Sequence, residues 1–295
     1  MKLLKFVLVV ALMLLVMPQA MAIDIDGDLS DWGLGGLYTS DWSVNDTWVP
    51  NSGVYYVVED NQDPRHGGIY PTSGVHIRGV GPTYQAYIEP LLVKVHDPSD
   101  TEIPPAGGEF YDVEAVYVTE NDTTLFVAII TSCTPPVWGD LALDLDGDGQ
   151  YEYGVIVHGF PTYGYVPNKV HKVKIYNTSG ENSWEPAWNY VPEDGPYINR
   201  INEDNAIFTG NYASLIYVDS GIVDNGYTNY FVEIAIPKDA VGMAGKNLPD
   251  PPLPKRIYFP ENCGNDSGGI TIPEFPVLLI PLGVILGAIY FFRRK

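Results

Sequence analysis

Cysteine is nearly absent from these 295 residues: only Cys133 and Cys263 occur. They form no Cys-x-x-Cys pair, so thiol redox catalysis, zinc ribbons and c-type haem attachment have no basis. Positive charge is also scarce, with 16 Lys+Arg against 37 Asp+Glu and a formal net charge of -21. The interior is more lopsided still, because residues 23–272 hold 36 of the acids and only 11 of the bases. A surface of that sign repels phosphate backbones, which argues against nucleic acid as a partner. Helical periodicity is missing except for one turn at 238–242, after Ile236-Pro237. No Gly-x-Ser-x-Gly elbow, phosphate-binding glycine loop or fixed-period repeat occurs. The five histidines (His66, His76, His96, His158 and His171) have no metal-type spacing and read as surface or strand residues. Acids are so numerous that chance pairs abound, so no catalytic residue is assigned and the expectation is a protein without turnover.

What remains is rich in Tyr (21), Gly (30) and Pro (25), with 45% hydrophobic residues. That profile suits short strands and tight turns around a real core, and predicts an all-β fold. Alternating or β-branched runs predict strands at 54–58, 75–78, 87–95, 113–119, 124–131, 140–143, 153–158, 169–176, 214–218, 230–236 and 257–259. The clearest pair flanks Glu120-Asn121-Asp122-Thr123 and predicts a hairpin. Segments 59–74, 97–110 and 177–211, rich in Gly, Pro, Asn and Asp, predict long loops, and 245–256 a polyproline-like connector. The economical architecture is one β-sandwich of jelly-roll type over residues 23–263, with residues 264–275 as a tether.

Both ends are apolar. Lys2 and Lys5 precede an uncharged stretch closing on Ala20-Met21-Ala22, which predicts a signal peptide over 1–22, cut before Ile23; a retained signal anchor is the alternative. Residues 276–292 form a second uncharged stretch, the short limit for a bilayer-spanning helix, followed by Arg293, Arg294 and Lys295 as a cytoplasmic tail. Pro273, Glu274 and Phe275, then the hydrophobic span, then the terminal basic cluster resemble the PEF-CTERM sorting signal of archaeal surface proteins. That resemblance implies an archaeosortase-type processing enzyme as partner, cutting near the tripeptide and passing the protein to a lipid anchor. A plain single-span anchor is the alternative, and either places the body on the extracellular face of the membrane.

Four Asn-x-Ser/Thr sequons, at Asn45, Asn121, Asn177 and Asn265, fit glycosylation of an envelope protein. In an oxidising compartment Cys133 and Cys263 are expected to pair, closing a loop that stabilises the fold by up to about 4–5 kcal/mol in the chain-entropy model; intermolecular pairing or free thiols are the alternatives.

Three segments resemble the family 9 carbohydrate-binding and DOMON-like β-sandwiches: Ile25-Asp26-Gly27-Asp28-Leu29-Ser30-Asp31-Trp32, Leu125-Phe126-Val127-Ala128-Ile129, and Tyr230-Phe231-Val232-Glu233-Ile234-Ala235-Ile236-Pro237. The resemblance implies a DOMON-like sandwich and transfers no sugar-stacking residues to this chain.

The strongest site signal is LALDLDGDGQYEYGV. Asp144, Asp146 and Asp148 alternate, and Gly149 permits the sharp turn that lets three carboxylates converge. Hard oxygen ligands at this spacing suit Ca²⁺, completed by the Gln150 carbonyl and the Glu152 carboxylate. An EF-hand needs a bidentate Glu at position 12, which here is Val155, so the loop is EF-like only. The alternative is a solvated Asp/Gly hairpin. A second cluster, Asp24, Asp26, Asp28 and Asp31, reads as an N-terminal strand and turn with Asp28 or Ser30 capping; a second metal site is the alternative. Trp184, Trp188 and Tyr190, with Tyr197, lie in a polar Pro-rich loop and either stack on sugar rings or cover the end of the fold. The sequence therefore predicts an anchored, calcium-stabilised surface glycoprotein of structural or adhesive role, meeting glycans or other envelope proteins. A cell-surface carbohydrate-binding module is the runner-up.

Overall fold

The structure, a computed structural model, describes residues 22–34, 50, 51, 53–58, 113–158, 166–186, 198–224, 227–250, 255–260 and 267–272. The predicted strands at 75–78 and 87–95, the loops 59–74 and 97–110, the signal segment 1–21 and the C-terminal segment 273–295 lie outside the described residues. Among the described residues no helix is long and apolar enough to cross a membrane.

The fold is all-β. Twelve strands are described: β1 (Tyr55–Val58), β2 (Val113–Glu120), β3 (Thr124–Thr131), β4 (Leu141–Asp144), β5 (Tyr153–Val155), β6 (His171–Asn177), β7 (Trp184–Glu185), β8 (Arg200–Ile201), β9 (Ile207–Asp224), β10 (Tyr227–Pro237), β11 (Lys255–Pro260) and β12 (Ser267–Ile272). Ten form one antiparallel sheet in the order β1-β2-β3-β10-β9-β6-β5-β4-β11-β12, while β7 and β8 make a separate ribbon. Two separate sheets are the sequence expectation; hydrogen bonding instead runs unbroken through all ten strands. The sheet curls until its last strand, β12, packs against β1 and β2.

Alternation explains how that curl is held. Val116 and Val118 of β2, Leu125, Val127 and Ile129 of β3, and Val232, Ile234 and Ile236 of β10 all face the enclosed core. Their alternates Ala115, Tyr117, Phe126, Ala128 and Ile130 are buried as well, because residues 23–34 cover the outer face there with Ile23, Leu29, Trp32 and Leu34. Seven of the eight residues of β3 are therefore buried, and truncating any of its large side chains to Ala should cost about 2–5 kcal/mol.

The covering segment is clasped from below. Glu233 of β10 accepts a hydrogen bond from Trp32 Nε1 at 2.8 Å and from the Gly27 amide at 2.6 Å. Burial of this carboxylate pushes its pKa up to about 7, despite the Trp32 and Gly27 hydrogen bonds, and the charges of Asp31 and Asp26 add to the rise. Gly27 sits at φ +85, where a Cβ would fall 2.3 Å from Val218 Cγ1, so only glycine fits. The segments 25–32, 125–129 and 230–237 thus occupy one place: β3 and β10 pair, and the first segment lies across them.

Several elements depart from the sequence reading. β9 runs for 18 residues where only 214–218 is predicted, and Gly210 and Gly221, at φ +82 and +71, are the turn signals that hide it. The predicted loop 177–211 holds β7, β8 and the start of β9. β5 stops at Val155 because the amides of Val157 and His158 are taken by a side chain, described below. The predicted tether contains β12, an edge-filling strand paired along β11 from Lys255↔Ile272 to Pro260↔Ser267, so the sheet extends beyond residue 263 to Ile272.

Candidate metal centre

The β4–β5 hairpin is closed by the acidic loop. Asp144 ends β4 and is fully buried; its Oδ1 accepts from the Gly147 amide at 2.7 Å and its Oδ2 from the Gly149 amide at 3.0 Å. Gly147 and Gly149 adopt φ +77 and +89, which fold the loop tightly enough for those bonds. Asp146 Oδ1 takes the Asp148 amide at 3.1 Å, and Asp148 Oδ1 takes the Gln150 amide at 2.8 Å. Glu152 Oε2 accepts from the Leu145 amide at 2.9 Å, which turns this carboxylate back over the loop.

Carboxylate oxygens of Asp144, Asp146, Asp148 and Glu152 lie within 4.8 Å of one another. Four carboxylates gathered this closely form a group that could hold a cation. Burial pushes Glu152 up to about 8, opposed by the Leu145 amide and reinforced by the charges of Asp144 and Asp146. Burial also raises Asp144, against the Gly147 and Gly149 amides and the Arg256 charge. The loop therefore holds one proton or one cation more readily than its full negative charge. Gln150 spends its side-chain amide on Asp148 Oδ2 at 3.3 Å, leaving its carbonyl as the group it can offer an ion.

Arg256 is a member of this centre that sequence reasoning missed. It is the register partner of Asp144 across β4 and β11, and its Nε lies 3.9 Å from Asp144 Oδ2. More than a hundred residues separate the two, so only the sheet topology brings them together.

The loop's far end is anchored by aromatics. Tyr151 stacks on Tyr258 at 5.8 Å and meets Trp184 edge-on at 6.5 Å. Trp184 donates to the Tyr151 carbonyl at 3.4 Å and lies on Gly154, where a Cβ would fall 2.8 Å from its ring. Its ring is thus engaged in packing the β7–β8 ribbon onto the sheet. Trp188, Tyr190 and Tyr197 lie outside the described residues. The exposed rings on the described surface are elsewhere: Phe208 and Tyr212 of β9, 5.3 Å apart, beside Tyr176, Lys174 and Glu203. Lys174 Nζ donates to Glu203 Oε2 at 2.7 Å and to the Tyr176 hydroxyl at 3.1 Å.

Another buried carboxylate, also missed, is Asp140. It accepts from the amides of Val157 (2.7 Å), His158 (2.9 Å) and Ile201 (2.7 Å), and its Oδ2 lies 2.6 Å from His158 Nδ1. It joins the start of β4, the end of β5 and β8 in one knot. His158 is a strand-end residue held by this carboxylate. The N-terminal acids hold a run of turns with no strand: Asp26 and Asp28 accept the amides of Asp28 and Ser30, both at 2.9 Å, and Asp31 takes that of Asp24 at 2.7 Å.

Cys133 is buried just past β3; its amide donates to Thr131 Oγ1, and its carbonyl accepts from Trp138 Nε1. Cys263, Asn45, Asn265 and the Pro273-Glu274-Phe275 tripeptide lie outside the described residues. Asn121 and Asn177 are half-buried, Asn121 in the β2–β3 bend and Asn177 at the end of β6. Compared with known proteins, the chain matches no family model and no curated relative.

Proposed function

We propose that this protein is a calcium-stabilised, cell-surface glycoprotein of structural or adhesive role, held at the extracellular face by its C-terminal segment. The observation that carries the reading is the four-carboxylate loop with its 4.8 Å spread. Millimolar calcium outside cells suits a site built from one short loop, and an ion there would fix the β4–β5 hairpin and the aromatic layer resting on it. The apolar ends of the sequence supply export and anchoring, with an archaeosortase-type enzyme as the processing partner. The finer architecture is a DOMON-like sandwich, with the curled sheet providing its two facing layers. Cys133 and Cys263 pair in this reading: the Gly139 amide donates to the Pro260 carbonyl at 2.9 Å, which brings the segment after Cys133 beside a residue only three positions before Cys263.

The test is thermal melting of the purified ectodomain. At calcium a hundred times the Kd, mass action adds about 2.7 kcal/mol, or about 5–10 °C for a domain of this size. EGTA and Asp146→Ala should each abolish that increment; melting indifferent to both refutes the calcium assignment. Deleting residues 273–295 should release the protein into the medium, and retention on cells would refute the anchor.

The Phe208–Tyr212 pair favours a second reading, a carbohydrate-binding module, with Lys174 and Glu203 supplying hydrogen bonds to hydroxyls. Glycan-array binding lost in Tyr212→Ala, with melting unchanged, separates it from the first.

A further inference from the structure

Ile207 is 69% exposed, the highest value among the large apolar side chains of the described residues. Its register partner on β6 is Asn177, whose partner on the other side is Tyr153 of β5. Register partners in antiparallel strands present their side chains to one face, with Cβ atoms about 4.5–5.5 Å apart. Asn177 therefore stands in a row between an exposed isoleucine and a half-buried tyrosine.

Asn177 also opens the sequon Asn177-Thr178-Ser179. Its carboxamide oxygen accepts from the Ser179 amide at 3.2 Å and the Ser179 hydroxyl at 2.6 Å, while its Nδ2 makes no hydrogen bond among the described residues. Thr178 is buried, donating from Oγ1 to the Tyr151 carbonyl and from its amide to the Glu152 carbonyl, both at 2.7 Å. The turn is thus clamped to the last residues of the acidic loop, oxygen inward and amino group available. Asn121 makes a similar turn with Thr123, at 2.9 and 3.2 Å, but lies in a hairpin bend with no register partner.

We propose that Asn177 carries an N-linked glycan whose first sugar is seated on Ile207. This rests on the surface-glycoprotein reading above. The modification joins Nδ2 to the anomeric carbon of a sugar delivered on a lipid phosphate: the amide gives up one proton and the lipid phosphate leaves, so no oxidant or reductant is required. The C–H face of the ring covers the isoleucine while its hydroxyls stay in water.

The full chain is made in two hosts, one whose secretory apparatus modifies Asn-x-Ser/Thr sites and one that lacks it. Residue-resolved mass spectrometry reads occupancy at 45, 121, 177 and 265, and a double-mutant cycle of Asn177→Gln and Ile207→Gln, which adds no new sequon, is read as melting temperature. Occupancy at 177 is expected, with a coupling of about 2–4 °C that appears only in the glycosylating host. Ile207 is exposed, so its variant should fold in both. If 177 is bare while another of the four sequons is occupied, the proposal fails and the glycoprotein reading stands; if all four are bare, both fail. Occupancy at 177 with equal coupling in the two hosts overturns the seat.

Discussion

Raising the pH from 6 to 8 should tighten calcium binding by the ectodomain, and the structure sets the size of the effect. Glu152 must give up its proton to ligate, and burial beside Asp144 and Asp146 holds its pKa up at about 8. Proton competition weakens the apparent affinity by a factor of 1 + 10^(pKa − pH), roughly a hundredfold at pH 6 and roughly twofold at pH 8. Allowing for solvent access to this half-buried carboxylate, the apparent Kd should fall about 10- to 50-fold across that interval. Isothermal titration in two buffers of different ionisation enthalpy reads both the affinity and the proton released, which should approach one per ion at pH 6. Without calcium the sign reverses into stability: the folded state keeps a proton that the unfolded chain loses above about pH 4.5, so stability declines from there toward pH 8. Glu152→Gln should flatten both profiles. A pH-independent Kd with no proton release would refute this account of the loop.

Three further outcomes follow from the packing. In saturating calcium, Glu233 dominates the remaining pH dependence: its folded pKa of about 7 lies above the unfolded value of 4.5, so stability should fall by up to about 3 kcal/mol between pH 4.5 and 7. Glu233→Gln should remove that slope in urea titrations, and a slope left intact would exonerate Glu233. Gly154→Val drives new atoms into Ile201 and Trp184, which a Cβ alone would meet at 2.7 and 2.8 Å, and should cost about 1–3 kcal/mol with a change in Trp184 fluorescence. Asp140→Asn keeps one acceptor oxygen and puts an NH2 in place of the other, facing either the Val157 and His158 amides or the Ile201 amide with His158 Nδ1, and should lower stability by at least about 2 kcal/mol; hydrogen exchange should report faster exchange on the side left without its acceptor.

Local chemistry was readable in the sequence, and distant partnership was not. The β2–β3 hairpin shows as two alternating runs around an Asn-Asp turn because its register depends on neighbours in sequence. The acidic loop is legible for the same reason: its four carboxylates lie within nine residues. Arg256, Asp140 and the Glu233–Trp32 clasp were invisible, since each acts on partners 17 to 201 residues away or across strands whose order no motif encodes. Gly210, Gly221 and the glycines of Ser267–Ile272 misled in the other direction, because glycine inside a strand looks like punctuation. Trp184, conspicuous in a polar loop, proved to be covering bare backbone at Gly154.

The pairing of β11 with β12 continues to Ile272, and the uncharged stretch begins at 276, so three residues separate them. Three residues span at most about 10 Å, close to one Debye length at physiological ionic strength. In the anchored form proposed above, a body with this excess of carboxylates would stand so near the bilayer as to feel anionic headgroups directly and be pushed upright by them. Divalent ions in the medium would then act twice, once inside the β4–β5 turn and once as a screen between the protein and the lipid beneath it.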